Sequence, residues 1–130
     1  MWYNVVSILV LSILNSVWRF FMKIAVVGSR NIAIEDFSDY IPKCDEIITG
    51  GAKGVDSYIA EYANKNNIKL TVILPDYRRY GRAAPIIRNK KIVDCADEIF
   101  VFWDGMSRGT YSVIEFAKKA QKKCNIVIIE

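Results

Sequence analysis

Residues Ile47 to Asp56 read IITGGAKGVD: a short apolar run stops at two glycines and restarts three residues later as an amphipathic segment. That pattern predicts a strand, a tight loop and a helix start. Paired glycines allow positive φ and a close approach of backbone N–H groups to a ligand, while the first helical turn offers unpaired donors and a partial positive charge. The loop suits a phosphate or another anion. A plain strand-to-helix turn has the same pattern, so the rest of the chain must decide between the two.

Outward from this loop, apolar runs alternate with amphipathic segments, each pair short enough to be one βα unit. Lys23 to Val27 (KIAVV) is a continuous apolar run, as expected of a strand buried on both faces, and it ends at Gly28-Ser29-Arg30. Ile34 to Tyr40 is a brief helix candidate closed by Pro42; Glu46 to Thr49 is the second strand. A helix follows over Val55 to Asn66, with Val55, Tyr58, Ile59, Tyr62 and Ala63 at helical spacing. Lys69 to Leu74 is the third strand, ended by Pro75, and a basic loop DYRRYGRAAP leads into a helix from about Pro85 to about Cys95. Glu98 to Trp103 is the fourth strand, Asp104 to Gly109 a polar glycine-bearing loop, and Val113, Phe116, Ala117 and Ala120 stripe the helix after it. Asn125 to Ile129 closes the series as a fifth strand. No internal repeat or low-complexity tract is legible after Met22.

Five apolar strands separated by helices predict an α/β fold: a single Rossmann-like doubly wound domain with a five-stranded parallel sheet, since parallel strands need helical crossovers that cover both faces. In such folds ligands sit outside the carboxyl ends of the strands. The segments expected there are Gly28 to Arg30, Gly50 to Asp56, Tyr77 to Arg82 and Trp103 to Thr110.

Composition narrows the chemistry. A chain of 130 residues is one domain by length. Its net charge is +4, and six basic residues (Arg78, Arg79, Arg82, Arg88, Lys90, Lys91) fall between Tyr77 and Lys91 with no acid among them, a cluster that suits a phosphate-bearing ligand, nucleic acid or a solvated face. The absence of histidine removes Ser-His and Cys-His triads and the usual zinc sites, and no metal is expected. Cys44, Cys95 and Cys124 form no CxxC pair and sit beside apolar runs, which reads as buried free thiols in a reducing, cytoplasmic compartment.

Residues 1–21, MWYNVVSILVLSILNSVWRFF, stand apart. The run is mostly apolar with one charge, Arg19, but Asn4, Ser7, Ser12, Asn15 and Ser16 interrupt it, leaving it borderline for a membrane span of about 20 apolar residues. It lacks the basic start and small-residue cleavage site of a secretory signal. The domain is expected to open at Met22 and run from 22 to 130, with the leader an upstream extension or weak anchor; a membrane partner is expected only if that leader inserts.

Four segments together carry a family resemblance: GSR after the first strand, GGAKGVD after the second, YGRAAPIIRNKKIV before the fourth and FWDGMSRGT after it. The chain resembles the SLOG superfamily, in particular its small stand-alone YspA-like members, which are related to the lysine-decarboxylase-like LOG proteins and the Rossmann domain of DprA. The resemblance spans Met22 to Glu130. It implies strand order 3-2-1-4-5 and binding of a nucleotide or nucleotide-derived ligand, of the ADP-ribose, NAD or nucleoside-phosphate kind, with no cofactor. Gly28, Ser29 and Arg30 would then face Asp104, Gly105, Ser107, Gly109 and Thr110 across the crevice, with Gly50, Gly51, Ala52, Gly54 and Asp56 on its flank.

The residues themselves are compatible with that role. Ser107, Gly109 and Thr110 open a helix, so their N–H and hydroxyl groups can cradle a phosphate, and Arg30 or Arg88 can supply a bidentate guanidinium contact. Arg88-Asn89 resembles the family's RNR-type motif, and one of the two is expected to face the crevice. Asp56 can hydrogen-bond a ribose hydroxyl or complement its helix dipole; Trp103 can stack on a base or belong to the core.

Two other functions stay in view. LOG relatives cleave the N-glycosidic bond of nucleoside monophosphates using GGxGTxxE, whose glutamate promotes departure of the base. The corresponding stretch here, GMSRGTYSVIE, has Val113 three residues after Thr110, and Glu115 lies two residues further on, about 200° around the helix. No residue is therefore assigned as catalytic. DprA-like binding of single-stranded nucleic acid is the other alternative, suggested by Arg78, Arg79 and Arg82 interleaved with Tyr77 and Tyr80. A homo-oligomer is compatible with each of these readings.

Overall fold

The computed structural model describes residues 21–130, so the expectations about the apolar leader at 1–20 lie outside the described residues. Five parallel strands form one sheet in the order β3-β2-β1-β4-β5. They are β1 (Lys23–Gly28), β2 (Glu46–Thr49), β3 (Lys69–Val72), β4 (Glu98–Trp103) and β5 (Lys123–Ile128). Among the described residues the helices are α1 (Val55–Lys65), the four-residue α2 (Tyr77–Tyr80), α3 (Ala84–Cys95) and α4 (Arg108–Lys119), with a 3-10 turn over Gly81–Ala83 joining α2 to α3. The fold is the Rossmann-like one that the alternation predicts.

The continuous apolar runs arise because the inner strands are covered on both sides, successive side chains pointing to opposite faces. Ile24, Val26, Ile47, Phe100 and Phe102 pack with Val55, Ile59 and Ala63 of α1 on one face. Ala25, Val27, Ile48, Ile99 and Val101 pack with Ile92 and Val93 of α3 and Val113 and Ala117 of α4 on the other. The edge strands β3 and β5 are only half covered, and their runs carry Lys69, Thr71, Lys123 and Asn125.

The helix expected over Ile34–Tyr40 is absent. Ile34, Phe37 and Ile41 have helical spacing, but Asp36 Oδ1 accepts the Ser38 N–H at 2.9 Å, and the Phe37 carbonyl takes Tyr40 N at 2.9 Å and Ile41 N at 3.0 Å in a turn that goes no further. A short acidic side chain bonded to nearby backbone competes with helix propagation, and Pro42 closes off any continuation. The segment still covers the sheet as a helix would. Ile32, Ile34, Phe37 and Ile41 are all buried in the α1-side core, and Phe37, fully buried, meets the rings of Tyr62 at 5.7 Å and Phe102 at 5.3 Å edge-on. The basic stretch expected as a loop is partly helical, because Asp76 caps α2 by accepting Arg79 N at 3.1 Å.

Paired acids repeat at the amino ends of β2 and β4. Glu46 bonds Lys69 of the neighbouring strand at 3.0 Å, and Glu98 bonds Lys123 at 3.4 Å in the same cross-strand arrangement. Asp45 and Asp97 each accept a backbone N–H from the start of β1, at Met22 and Lys23, both at 2.8 Å. Lys122 closes the far end of α3, its Nζ donating to the carbonyls of Val93, Asp94 and Ala96 at 2.7, 2.9 and 2.7 Å, which satisfies acceptors that a helix end leaves open.

Because Phe37 anchors the irregular cover of one sheet face, Phe37→Ala is expected to cost about 3–5 kcal/mol, the range for deleting a buried aromatic ring. Guanidinium denaturation of the two proteins measures this; a loss below about 1 kcal/mol would show that the segment contributes little to the core.

Candidate functional site

The strand order reverses between β1 and β4, and a cleft of about 360 Å³ opens there at the carboxyl ends of the strands. Its position follows from the parallel sheet: every strand delivers its following loop to this edge, and α1, α3 and α4 begin there.

Gly28 at the end of β1 belongs to the lining, and it also has a packing role. A Cβ at this position would lie 2.5 Å from the Phe102 carbonyl oxygen and 2.6 Å from Val55 Cγ2, so only glycine lets β1, β4 and the start of α1 close together. Ser29 is buried beneath the cleft. Its N–H donates to Phe102 O at 3.0 Å and its Oγ accepts Asp104 N at 3.1 Å, joining the loop after β1 to the loop after β4. Arg30 and Asn31 reach the lining, and the Arg30 guanidinium has no ion pair or hydrogen bond among the described residues.

From the glycine-rich loop after β2, Ala52 and Asp56 line the cleft, whereas Gly50, Gly51 and Gly54 do not. Gly54 sits at φ 78° with its missing Cβ 2.4 Å from the Arg30 carbonyl oxygen, so it packs one loop against the other. Gly51 faces Val72 and Leu74, outside the cleft lining. Asp56 is 5% exposed; its Oδ2 accepts Ala52 N at 3.1 Å, and Oδ1 is buried. Burial raises its pKa above the usual aspartate value, opposed by the Ala52 N–H, the Arg88 guanidinium, the Thr49 hydroxyl and the Gly50 N–H, which favour the ionised form.

Arg88 and Asn89, at consecutive positions of α3, both line the cleft and tie its walls together. Arg88 Nη1 donates to Gly50 O and, at 3.4 Å, to Ile73 O, while Nε donates to Asn89 Oδ1 at 2.8 Å. Asn89 Nδ2 passes the connection on to Gly109 O at 3.2 Å and Ser112 Oγ at 3.0 Å. One chain of hydrogen bonds therefore runs from the loop after β2, through α3, to the first turn of α4.

That first turn forms the opposite wall. Ser107 caps α4, its Oγ accepting Thr110 N at 3.5 Å and lying 3.1 Å from Thr110 Oγ1. Ahead of it, Asp104 Oδ1 accepts Met106 N at 2.9 Å and Ser107 N at 2.8 Å; these two donors hold its carboxyl below the usual aspartate range. Gly105 lies in this turn at φ 82° and outside the lining. Gly109 belongs to the lining, and the space where its side chain would stand is open. Trp103 is a brace: its Nε1 donates to Ser107 O at 3.0 Å and its ring stacks on Tyr111 at 5.7 Å, outside the lining.

The structure thus gathers Gly28, Arg30, Ala52, Asp56, Arg88 and Asn89 around the same cleft as Asp104, Ser107, Gly109 and Thr110. The sequence reading omitted Val27, Asn31 and Pro85, although Asn31 follows a strand end and Pro85 a helix start, the positions this fold sends to the crevice. Val113 forms floor, 1% exposed, while Glu115 is exposed and outside the lining. Among the described residues no group of three or more acidic or Cys side chains is placed to hold a metal, and no helix is long and apolar enough to cross a membrane.

The raised pKa of Asp56 has a definite sign in stability. The folded protein holds this proton more tightly than the unfolded chain, so the contribution of Asp56 is most favourable at or below pH 3.8 and is lost as pH rises through the native value. Asp56→Asn cannot ionise, so its stability relative to wild type should improve with pH in that window, by at most about 1.4 kcal/mol per pH unit. Urea titrations of both proteins between pH 3.5 and pH 8 check the slope; a difference independent of pH would mean that Asp56 titrates normally.

Comparison with protein-family models, with curated proteins and with solved structures yields no match, so the function is read from the cleft itself.

Proposed function

We propose that the protein binds a nucleotide or nucleotide-derived ligand in the cleft between β1 and β4, as a cytoplasmic sensing or sequestering module of the SLOG type. One observation carries the reading: the capped first turn of α4, with Gly109 open to the cleft, stands opposite the uncommitted guanidinium of Arg30 and the clamped guanidinium of Arg88. Helix N–H donors, the helix dipole and planar cations together favour a phosphate group. The cysteines at 44, 95 and 124 are free but not buried as their apolar neighbours suggest, Cys95 being exposed and the other two half-buried; free thiols are consistent with a reducing compartment.

Binding is favoured over turnover by what lines the floor. A glycosidase of the LOG kind needs a carboxylate where Val113 stands, and an aliphatic side chain can neither take a proton nor stabilise an oxocarbenium-like charge. Binding of single-stranded nucleic acid is less well supported, because the Tyr80 ring already carries the Arg79 guanidinium at 5.3 Å and the Lys91 ammonium at 5.6 Å.

A thermal-shift screen of nucleotides, nucleoside monophosphates and ADP-ribose-like compounds tests the reading. A ligand at 100 times its Kd is expected to stabilise by about 2.7 kcal/mol. Gly109→Val should remove the shift without unfolding the protein, since the new side chain enters open cleft. Gly51→Val is a poor probe, because at φ 73° it would be strained and would collide with Val72 and Leu74. A screen with no shift on intact protein would overturn the proposal.

Incubation with AMP, GMP or CMP should release no base at an enzymatic rate. Loss of one charge-stabilising contact in a transition state costs about 3–4 kcal/mol, or 10² to 10³ in rate. Chromatographic detection of turnover near about 1 s⁻¹, an ordinary enzymatic value, would contradict this.

A further inference from the structure

β5 is one edge of the sheet, and among the described residues no further strand pairs with its outer side. Ile129 N donates inward to Trp103 O at 3.0 Å, so by the alternation of an extended chain the N–H and carbonyl groups of Cys124, Ile126 and Ile128 point outward. An open edge is a template for another strand, and proteins guard it with lysine, proline, a bulge or short length. The opposite edge is guarded in this way: β3 is four residues long and starts at Lys69. β5 lacks such a guard, reading CNIVI after Lys123 and running on into Ile129 with no charge and no proline.

Side chains extend the bare edge into an apolar strip. Cys124 packs against the core beneath α3 and α4, so Ile126 and Ile128 lie on the same face, where they are 46% and 60% exposed. Trp103, the register partner of Ile128, carries the exposed ring of Tyr111. Charge at the two ends of the strand is opposite: Lys122 and Lys123 stand at its start and Glu130 just beyond its end. Such an edge complements itself when reversed.

We propose that the outer edge of β5 is an interface between two copies of this chain, paired antiparallel about a two-fold axis at Ile126. Outward-facing residues then meet outward-facing residues: Ile126 meets its own counterpart and Cys124 the partner's Ile128, each pair exchanging N–H···O bonds. Glu130 comes opposite the partner's Lys122 and next to the partner's Lys123. The contact is isologous, so it closes at two copies instead of growing into a fibre. Pairing at this edge requires no ligand in the cleft.

Sedimentation equilibrium of the full chain over a wide concentration range tests this. The mass is expected to approach twice the 14.9 kDa of one chain. Ile126→Lys sets two ammonium groups face to face on the axis and should weaken association at least about tenfold. Val72→Lys, at an exposed position of the opposite edge, should leave association unchanged. A monomer at every concentration, an assembly larger than two copies, or association that Ile126→Lys leaves intact, as one driven by residues 1–20 would be, overturns the interface. Should the lysine variant fail to fold, a cysteine reports the same contact. In a Cys95→Ser background, Ile126→Cys brings two Cα atoms to about 5.5 Å across the axis, within disulfide reach. Oxidation should then give a covalent dimer. The Cys95→Ser parent should not, because Cys124 lies four residues out of register with its counterpart, more than about 10 Å away. No covalent dimer from Ile126→Cys, or an equal yield from the parent, would refute the pairing.

Discussion

The parallel pairing of β1 with β4 is the constraint on which the remaining structure depends. In register from Ile24 against Glu98 to Gly28 against Phe102, the two strands place their following loops side by side. Adjacent strands whose chains continue in opposite directions across the sheet cannot both be capped by one helix, and the gap between them is the cleft. Gly28 is required at this point because the Phe102 carbonyl and Val55 leave no space for a Cβ. The cleft and the core are therefore shaped by the same close contact.

Held only by strand pairing, the loops around such a cleft would move independently. The Arg88–Asn89 pair prevents this by linking Gly50 and Ile73 on one side to Gly109 and Ser112 on the other. A guanidinium satisfies several carbonyls at once through its planar array of donors, which a lysine ammonium in the same place does not match. Two glycine-bearing loops are thus preorganised, and Arg30, outside the network, remains available at the mouth. Asp56 is buried beside Arg88, where the Ala52 N–H holds its carboxylate in place.

Much of the architecture was legible because it depends on short-range patterns. Continuous apolar runs mark strands covered on both faces, and glycine, proline and capping residues mark their ends; the bounds expected for β2 and β4 agree with those observed. Ile34–Tyr40 was misread because its apolar spacing fits a helix as well as it fits an irregular cover, and the bond from Asp36 to Ser38 that ends the helical option is a local competition of small energy. The tripeptide Asp-Glu-Ile recurs at 45–47 and 97–99, and its meaning emerges only in the fold, where both copies bond β1 and a neighbouring lysine.

By itself the sequence determined the class of fold, the end of the sheet where the cleft opens, and the residue types there, because these follow from periodicity and from chain direction in a parallel sheet. Tertiary structure alone decided which candidates do which task. Gly50 and Gly54 turned out to serve packing and the Arg88 clamp, Trp103 to brace a turn, and Asp56 to sit buried in the cleft wall beside Arg88. Those outcomes rest on contacts such as Arg88 to Gly50, separated by 38 residues, and Asp104 to Ser29, separated by 75. Hydrogen bonds of that span depend on where the packed sheet brings loops together, and no local propensity encodes them.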